Sequence, residues 1–240
     1  PEGWTPRGME APVARDTPKP SVDGVAVETA FATRQFWLVW IVLFCNVTAG
    51  IAILEQAAPM VEVFFAEVGP AEAAGYVGFL SLCNMLGRLV WSSASDSIGR
   101  KRTYIGYLGL GAVLYLFIAV AGTSSVVMFV AVSGLILSFY GGGFATVPAY
   151  LKDLFGTRNV GAIHGRLLTA WSLAGVAGPM IVNVIADYQI AAGNEGPALY
   201  ELSLYVMVGV MTVGFLANMM VRPLPDSVYR KDEAKEADRA

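Results

Sequence analysis

Six apolar blocks, at about 36–60, 73–94, 103–122, 126–150, 161–187 and 199–221, occupy most of this chain. Each holds about 20 residues or more, enough to cross a hydrocarbon core of ~30 Å as a helix. The blocks are continuous rather than alternating, which argues against membrane strands. Only 15% of residues are charged and 55% are hydrophobic, against about 25% charged in a soluble domain. Pro59, Pro148 and Pro179 fall inside or near the ends of blocks, a placement that membrane helices tolerate. The fold class expected is an all-α membrane protein with six transmembrane helices.

The connections between blocks alternate in charge. One set carries Arg34, then Arg100, Lys101 and Arg102, then Lys152 and Arg158, then Arg222. The other carries Glu62, Glu67 and Glu72, then Thr123 to Ser125, then Asp187, Glu195 and Glu201, with no Lys or Arg. The positive-inside rule then places both ends of the six-span unit in the cytoplasm, as in a multi-pass protein of the plasma (inner) membrane. Three regions follow: a polar, Pro-rich linker at 1–35, the six-helix unit at 36–222, and a short charged tail at 223–240. The chain opens at Pro1 on that linker, and further chain is expected upstream.

Arg88 lies inside the second block, in Gly75-Tyr-Val-Gly-Phe-Leu-Ser-Leu-Cys-Asn-Met-Leu-Gly-Arg-Leu-Val-Trp91. A cation near the bilayer centre costs roughly 2.5–3.5 kcal/mol on insertion scales. Eight residues, about 12 Å of helix, separate it from Asp96. Its side chain leans toward the helix N-terminus, away from the cytoplasm, so reaching the inner surface is awkward. Two readings remain: an anion-binding residue, or a structural pair, for which Glu55 is the main partner.

Other chemistry finds little support. Cys45 and Cys83 both sit in apolar blocks, and His164 is the only histidine, so no metal or disulfide spacing exists. Gly141, Gly142 and Gly143 are not followed by Gly-Lys-Ser/Thr, which excludes a phosphate loop and fits close helix packing. Gly175 and Gly178 before Pro179 make a bendable, close-packing stretch. No cofactor, metal or nucleic-acid partner is expected, and the blocks hold no nucleophile or carboxylate dyad for an enzyme. The partners expected are the lipid bilayer and a small anion.

The stretch Gly87-Arg-Leu-Val-Trp-Ser-Ser-Ala-Ser-Asp-Ser-Ile-Gly-Arg-Lys-Arg102 joins blocks two and three. Asp96, a turn at Gly99, and the cations Arg100, Lys101 and Arg102 follow one another there. The stretch resembles the loop signature of the major facilitator superfamily, which lies between the second and third helices of each six-helix half. Pro1-Glu-Gly-Trp-Thr-Pro6, Asn46-Val-Thr-Ala-Gly50, Tyr140-Gly-Gly-Gly-Phe-Ala-Thr-Val-Pro-Ala-Tyr-Leu-Lys-Asp-Leu-Phe-Gly156 and Val160-Gly-Ala-Ile-His-Gly-Arg-Leu-Leu-Thr-Ala-Trp171 are similar to stretches of the oxalate:formate antiporter family within it. The likeness covers nearly the whole chain up to about residue 223. It implies a C-terminal half of a twelve-helix carrier, with residues 1–35 as the central loop and an N-terminal six-helix half as partner.

The resemblance also implies roles. Oxalate-exchanging members pair an Arg in the second helix of this half with a Lys in the fifth. Arg88 matches the first, but no Lys lies within any block, and Trp171 stands close to the second position. A dianion is best met by two cations, so a monocarboxylate or mixed substrate is expected, with Arg88, Trp171 and Tyr140 as substrate-binding candidates, unless the N-terminal half, or Arg166 reaching in from one turn above, supplies a second cation. Trp171 floors the pocket or packs the core. Tyr140 and Tyr150 donate to a carboxylate or anchor the interface. Asp96, Gly99, Arg100, Lys101 and Arg166 are gating candidates, and Arg166 and His164 could alternatively face headgroups. Glu55 is the candidate for proton coupling, a partner for Arg88, or an interfacial acid. The function expected is alternating-access transport of small organic carboxylates by antiport or proton symport. The alternatives are a non-transporting sensor on a transporter fold and a carrier of an unrelated solute.

Overall fold

Gly69 and Gly99 bracket one helix and illustrate how each span is delimited. Pro70 occupies the first turn, where its missing N–H costs nothing, and Gly99 ends the helix with φ 92° and its N–H on the Ser95 carbonyl at 3.0 Å. The computed structural model describes residues 24–229. It contains a short helix α1 (Val27–Phe31) and six long ones: α2 (Arg34–Phe64), α3 (Pro70–Ile98), α4 (Arg100–Ser124), α5 (Val126–Phe155), α6 (Val160–Ala191) and α7 (Ala198–Met220). All six are long and apolar enough to cross a membrane. Strands are absent among the described residues, apart from one isolated bridge between Gly24 and Gly156. The chain is thus an all-helical, multi-pass membrane protein, as expected.

The helices outrun the apolar blocks. α2 continues past residue 60 to Phe64, and α5 past residue 150 to Phe155. Backbone hydrogen bonding continues through polar turns that hydropathy alone discards. Within α4, residues Gly106–Leu110 form a wider π-helical turn, and Gly122–Ser124 a 3₁₀ turn.

The core lies on α2 and α5, the two most buried spans, while α3 and α6 are the least buried. α3 packs mainly on α5, α2 on α6 and α7, and α4 on α7. Close approach explains the tightest crossing. A Cβ added at Gly87 of α3 would overlap the Ser138 carbonyl of α5, and one at Gly141 would overlap the Asn84 carbonyl. Gly178 similarly admits α2, with the Thr48 carbonyl 2.9 Å from where its Cβ would stand. Polar side chains fasten the same helices. Tyr76 Oη donates to Ser133 at 2.8 Å, Trp91 Nε1 to Ser138 at 3.0 Å, and Gln56 Nε2 to Asn183 at 2.7 Å.

Part of the expected linker and part of the expected tail pack against the bundle. Val25 and Ala30 are fully buried, and Val25 bonds to Phe155 and Asn159 where α5 turns into α6. At the other end Leu224 is buried, and Tyr229 Oη donates to the Leu154 carbonyl at 2.8 Å. The remainder of those two regions, 1–23 and 230–240, lies outside the described residues.

Candidate functional site on the exposed face of the bundle

Three side chains from three helices form a row at one height. Arg88 lies ten residues before the end of α3, Phe144 eleven before the end of α5, and Trp171 eleven after the start of α6. All three ends belong to the basic end of the bundle, so each residue stands roughly 15–17 Å from it. The Arg88 guanidinium carbon is 5.5 Å from the Phe144 ring centroid. The Phe144 and Trp171 rings are 6.1 Å apart and tilted by 55°. The sequence pairs Arg88 with Trp171 only by resemblance; the fold joins them through Phe144.

Arg88 is held from beneath by its own helix. Asn84, four residues earlier, accepts from Nε at 3.2 Å, as helical i,i+4 spacing permits. Asn84 is itself buried at the crossing with Gly141. The NH1 and NH2 groups make no hydrogen bond or ion pair within the described residues. A guanidinium bonded through Nε and backed by a ring leaves these two groups able to donate to an oxygen anion. Arg88 and Trp171 are both exposed, on the two spans that bury least. Leu89, Val90, Val176, Met180 and Val184 are exposed on the same two spans.

The other candidates sit elsewhere. Tyr140 is one turn before Phe144 on α5, but its ring packs against Gly50 of α2 and is buried. Glu55 is exposed on α2 and has no partner among the described residues; Arg88 contacts Asn84 and Phe144 instead. Arg166 reaches Glu28 of α1 at 3.6 Å and stands 5.9 Å from the Phe31 ring, so it engages the short helix before the first span. His164 has a buried Nε2 without a hydrogen-bond partner among the described residues.

The signature residues build one network at the basic end. Arg100 bonds Ser95 and Asp96, and its Nε lies 3.6 Å from Asp153 of α5. Lys101 Nζ donates to the carbonyls of Met219 and Val221 at 2.9 and 2.7 Å, satisfying the open C-terminal end of α7. Asn218 Nδ2 donates to the Lys101 carbonyl at 3.0 Å, and Tyr150 Oη to Asn218 Oδ1 at 3.0 Å. Gly99 makes the turn that lets α3 and α4 share this network. No cluster of potential metal ligands exists among the described residues.

Phe144 and Asn84 are the residues that sequence reasoning missed. Phe144 lies within the quoted Tyr140–Gly156 stretch, yet a phenylalanine in an apolar helix carries no signal of its own. Asn84, a polar residue one turn before an intramembrane Arg, is the kind of signal that could have been read.

Comparison with known proteins agrees with this architecture. The oxalate:formate antiporter of Oxalobacter formigenes is 30% identical over 207 residues, covering 85% of this chain and 47% of that protein. Apicoplast pyruvate carrier 2 of Toxoplasma gondii is 26% identical over 138 residues, 58% of this chain and 21% of that protein. Protein ZINC INDUCED FACILITATOR-LIKE 1 of Arabidopsis thaliana is 25% identical over 235 residues, 86% of this chain and 45% of that protein. The chain thus spans about half the length, or less, of these relatives. The Major Facilitator Superfamily profile matches residues 39–240, and with six apolar spans joined as described, the chain belongs to the Major Facilitator Superfamily of membrane transporters.

Proposed function

We propose that this chain is the C-terminal half of a secondary carrier for small organic carboxylates, with a monocarboxylate as the preferred substrate. The observation that carries the reading is the row of Arg88, Phe144 and Trp171. One cation backed by two aromatic rings suits a single carboxylate with a compact or apolar remainder. It suits a dianion poorly, because no second cation among the described residues joins the row. The names of two relatives, an oxalate:formate antiporter and a pyruvate carrier, support a carboxylate substrate.

In this reading Arg88 neutralises the anion near the midplane, between the two halves of the carrier, where such transporters bind. Trp171 and Phe144 form the apolar wall, and Tyr140 sets the spacing of α2 against α5 behind it. The basic end of the bundle faces the cytoplasm of the plasma (inner) membrane, following the charge asymmetry of the loops. There Asp96, Gly99, Arg100 and Lys101 hold the cytoplasmic gate, and Arg166 ties it to α1. Exchange requires that the loaded half reorient more easily than the empty one. Symport requires a titrating acid, for which Glu55 is the candidate.

Uptake of radiolabelled formate, lactate and oxalate into vesicles holding the full-length protein tests this. Formate or lactate should accumulate, and Arg88→Gln should abolish uptake while the protein remains inserted. Normal uptake by Arg88→Gln refutes the anion site. Uptake of none of these acids favours a carrier of another solute.

A further inference from the structure

At the basic end, a cavity of about 440 Å³ opens between the α3–α4 turn, the end of α5 and the segment after α7. Four cations line it: Arg100, Lys101, Arg102 and Arg222, with Asp153 as the one carboxylate among the lining residues. Two of the four are committed. Arg100 holds Asp96 and Asp153, and Lys101 holds the last carbonyls of α7. Arg102 and Arg222 are exposed and have no partner among the described residues. Arg102 lies on α4 and Arg222 in the segment after α7, far apart in sequence, and the fold brings both to one cavity.

The rest of the lining is largely apolar, with Ile98, Leu154, Val221 and Pro223 beside Gly99 and Tyr150. The site therefore offers two guanidinium forks, which match phosphate oxygens bidentately, beside a surface that accepts hydrocarbon. It lies where the apolar spans end. An amphipathic phosphate ester satisfies both halves of this surface, whereas a small inorganic anion would leave the apolar wall uncovered.

We infer that this cavity is a binding site for a phosphate group at the membrane surface, filled by the headgroup of an anionic phospholipid. The volume accommodates a phosphoglycerol headgroup, and basic pockets between spans are suited to such lipids. The inference is independent of which solute the protein carries.

The test is thermal unfolding of the purified full-length protein, titrated with phosphatidylglycerol, phosphatidylcholine or inorganic phosphate. Wild type is compared with the Arg102→Gln/Arg222→Gln double variant. Without added ligand the two should unfold at the same temperature, because neither arginine holds another described residue. Phosphatidylglycerol should raise the midpoint of wild type, and the double variant should need about five- to tenfold more lipid per arginine removed. Phosphatidylcholine should act on both alike. A shift of wild type alone by inorganic phosphate, with none beyond it from phosphatidylglycerol, keeps the phosphate site but assigns it a soluble ligand. Equal responses of wild type and variant to every ligand overturn the inference, as does the absence of any wild-type response to both phosphatidylglycerol and inorganic phosphate.

Discussion

The backbone carbonyl of Asn84 occupies the space that a side chain at Gly141 would need. The same Asn84 accepts from Arg88 through its side chain. The closest crossing of α3 and α5 and the orientation of the intramembrane arginine therefore depend on one residue. Gly141→Ala must push α3 away, and overpacking of this kind costs about 1–3 kcal/mol. The variant should unfold at lower temperature and lose uptake beyond what its lower abundance explains. Gly161→Ala, where no atom stands within 4 Å of the added Cβ, is the control that should change neither.

Phe144→Leu keeps the apolar wall but removes the ring face beneath Arg88. A cation–π contact is worth roughly 0.5–2 kcal/mol depending on desolvation. Apparent substrate affinity should therefore fall by about two- to thirtyfold. Phe144→Tyr should retain it. Equal uptake kinetics for the leucine variant and wild type would show that the ring contributes nothing to the site.

Trp171→Lys places a second cation in the row opposite Arg88. A hydrogen bond to a charged group is worth about 1.5–3 kcal/mol. Oxalate uptake should therefore rise relative to formate by about tenfold or more. Competition of unlabelled oxalate against labelled formate measures the ratio directly, and an unchanged ratio would remove Trp171 from the pocket.

Asn218→Leu breaks the chain from Tyr150 through Asn218 to the Lys101 carbonyl. Buried groups left without partners cost about 1–3 kcal/mol each. The variant should lose more stability than Tyr150→Phe, which removes only one donor. A double-mutant cycle on the two positions should show coupling, whereas additive losses would mean that the bonds act separately.

The Arg166–Glu28 pair is exposed on both sides, 46% and 78%, and exposed pairs contribute about 0–1 kcal/mol. Arg166→Gln should shift the unfolding midpoint little. If it changes transport rate, its part is in motion rather than stability, and a stopped-flow comparison of rates with unfolding midpoints would separate the two.

Much of the fold could be read from the residues, because six apolar blocks and alternating loop charge leave few arrangements. Helix ends were less legible: Phe64, Phe155 and Ala191 close their helices beyond the blocks, where the hydrogen-bond ladder and not hydropathy decides. Arg88 announces itself, since a charge among apolar residues is costly wherever it lands. Phe144 does not, because its meaning depends on which residue of another helix stands above it. Tyr140, marked by the motif around it, turns toward Gly50, and only the packing of α2 on α5 could tell which face it takes. The same holds for Lys101, whose partners lie more than a hundred residues away.

Lys101, Asn218, Tyr150 and Arg100 tie the basic ends of α3, α4, α5 and α7 into one piece. None of these four helices can tilt there without breaking bonds to the others, so their ends turn together or not at all. α6 lies outside this tie and is fastened to α2 instead, through Trp40–Thr169 and Gln56–Asn183 and by the close approach at Gly178. Torque reaching the bundle from one side would be divided unequally, with four helices acting as one lever arm and α2 with α6 as a second piece beside it.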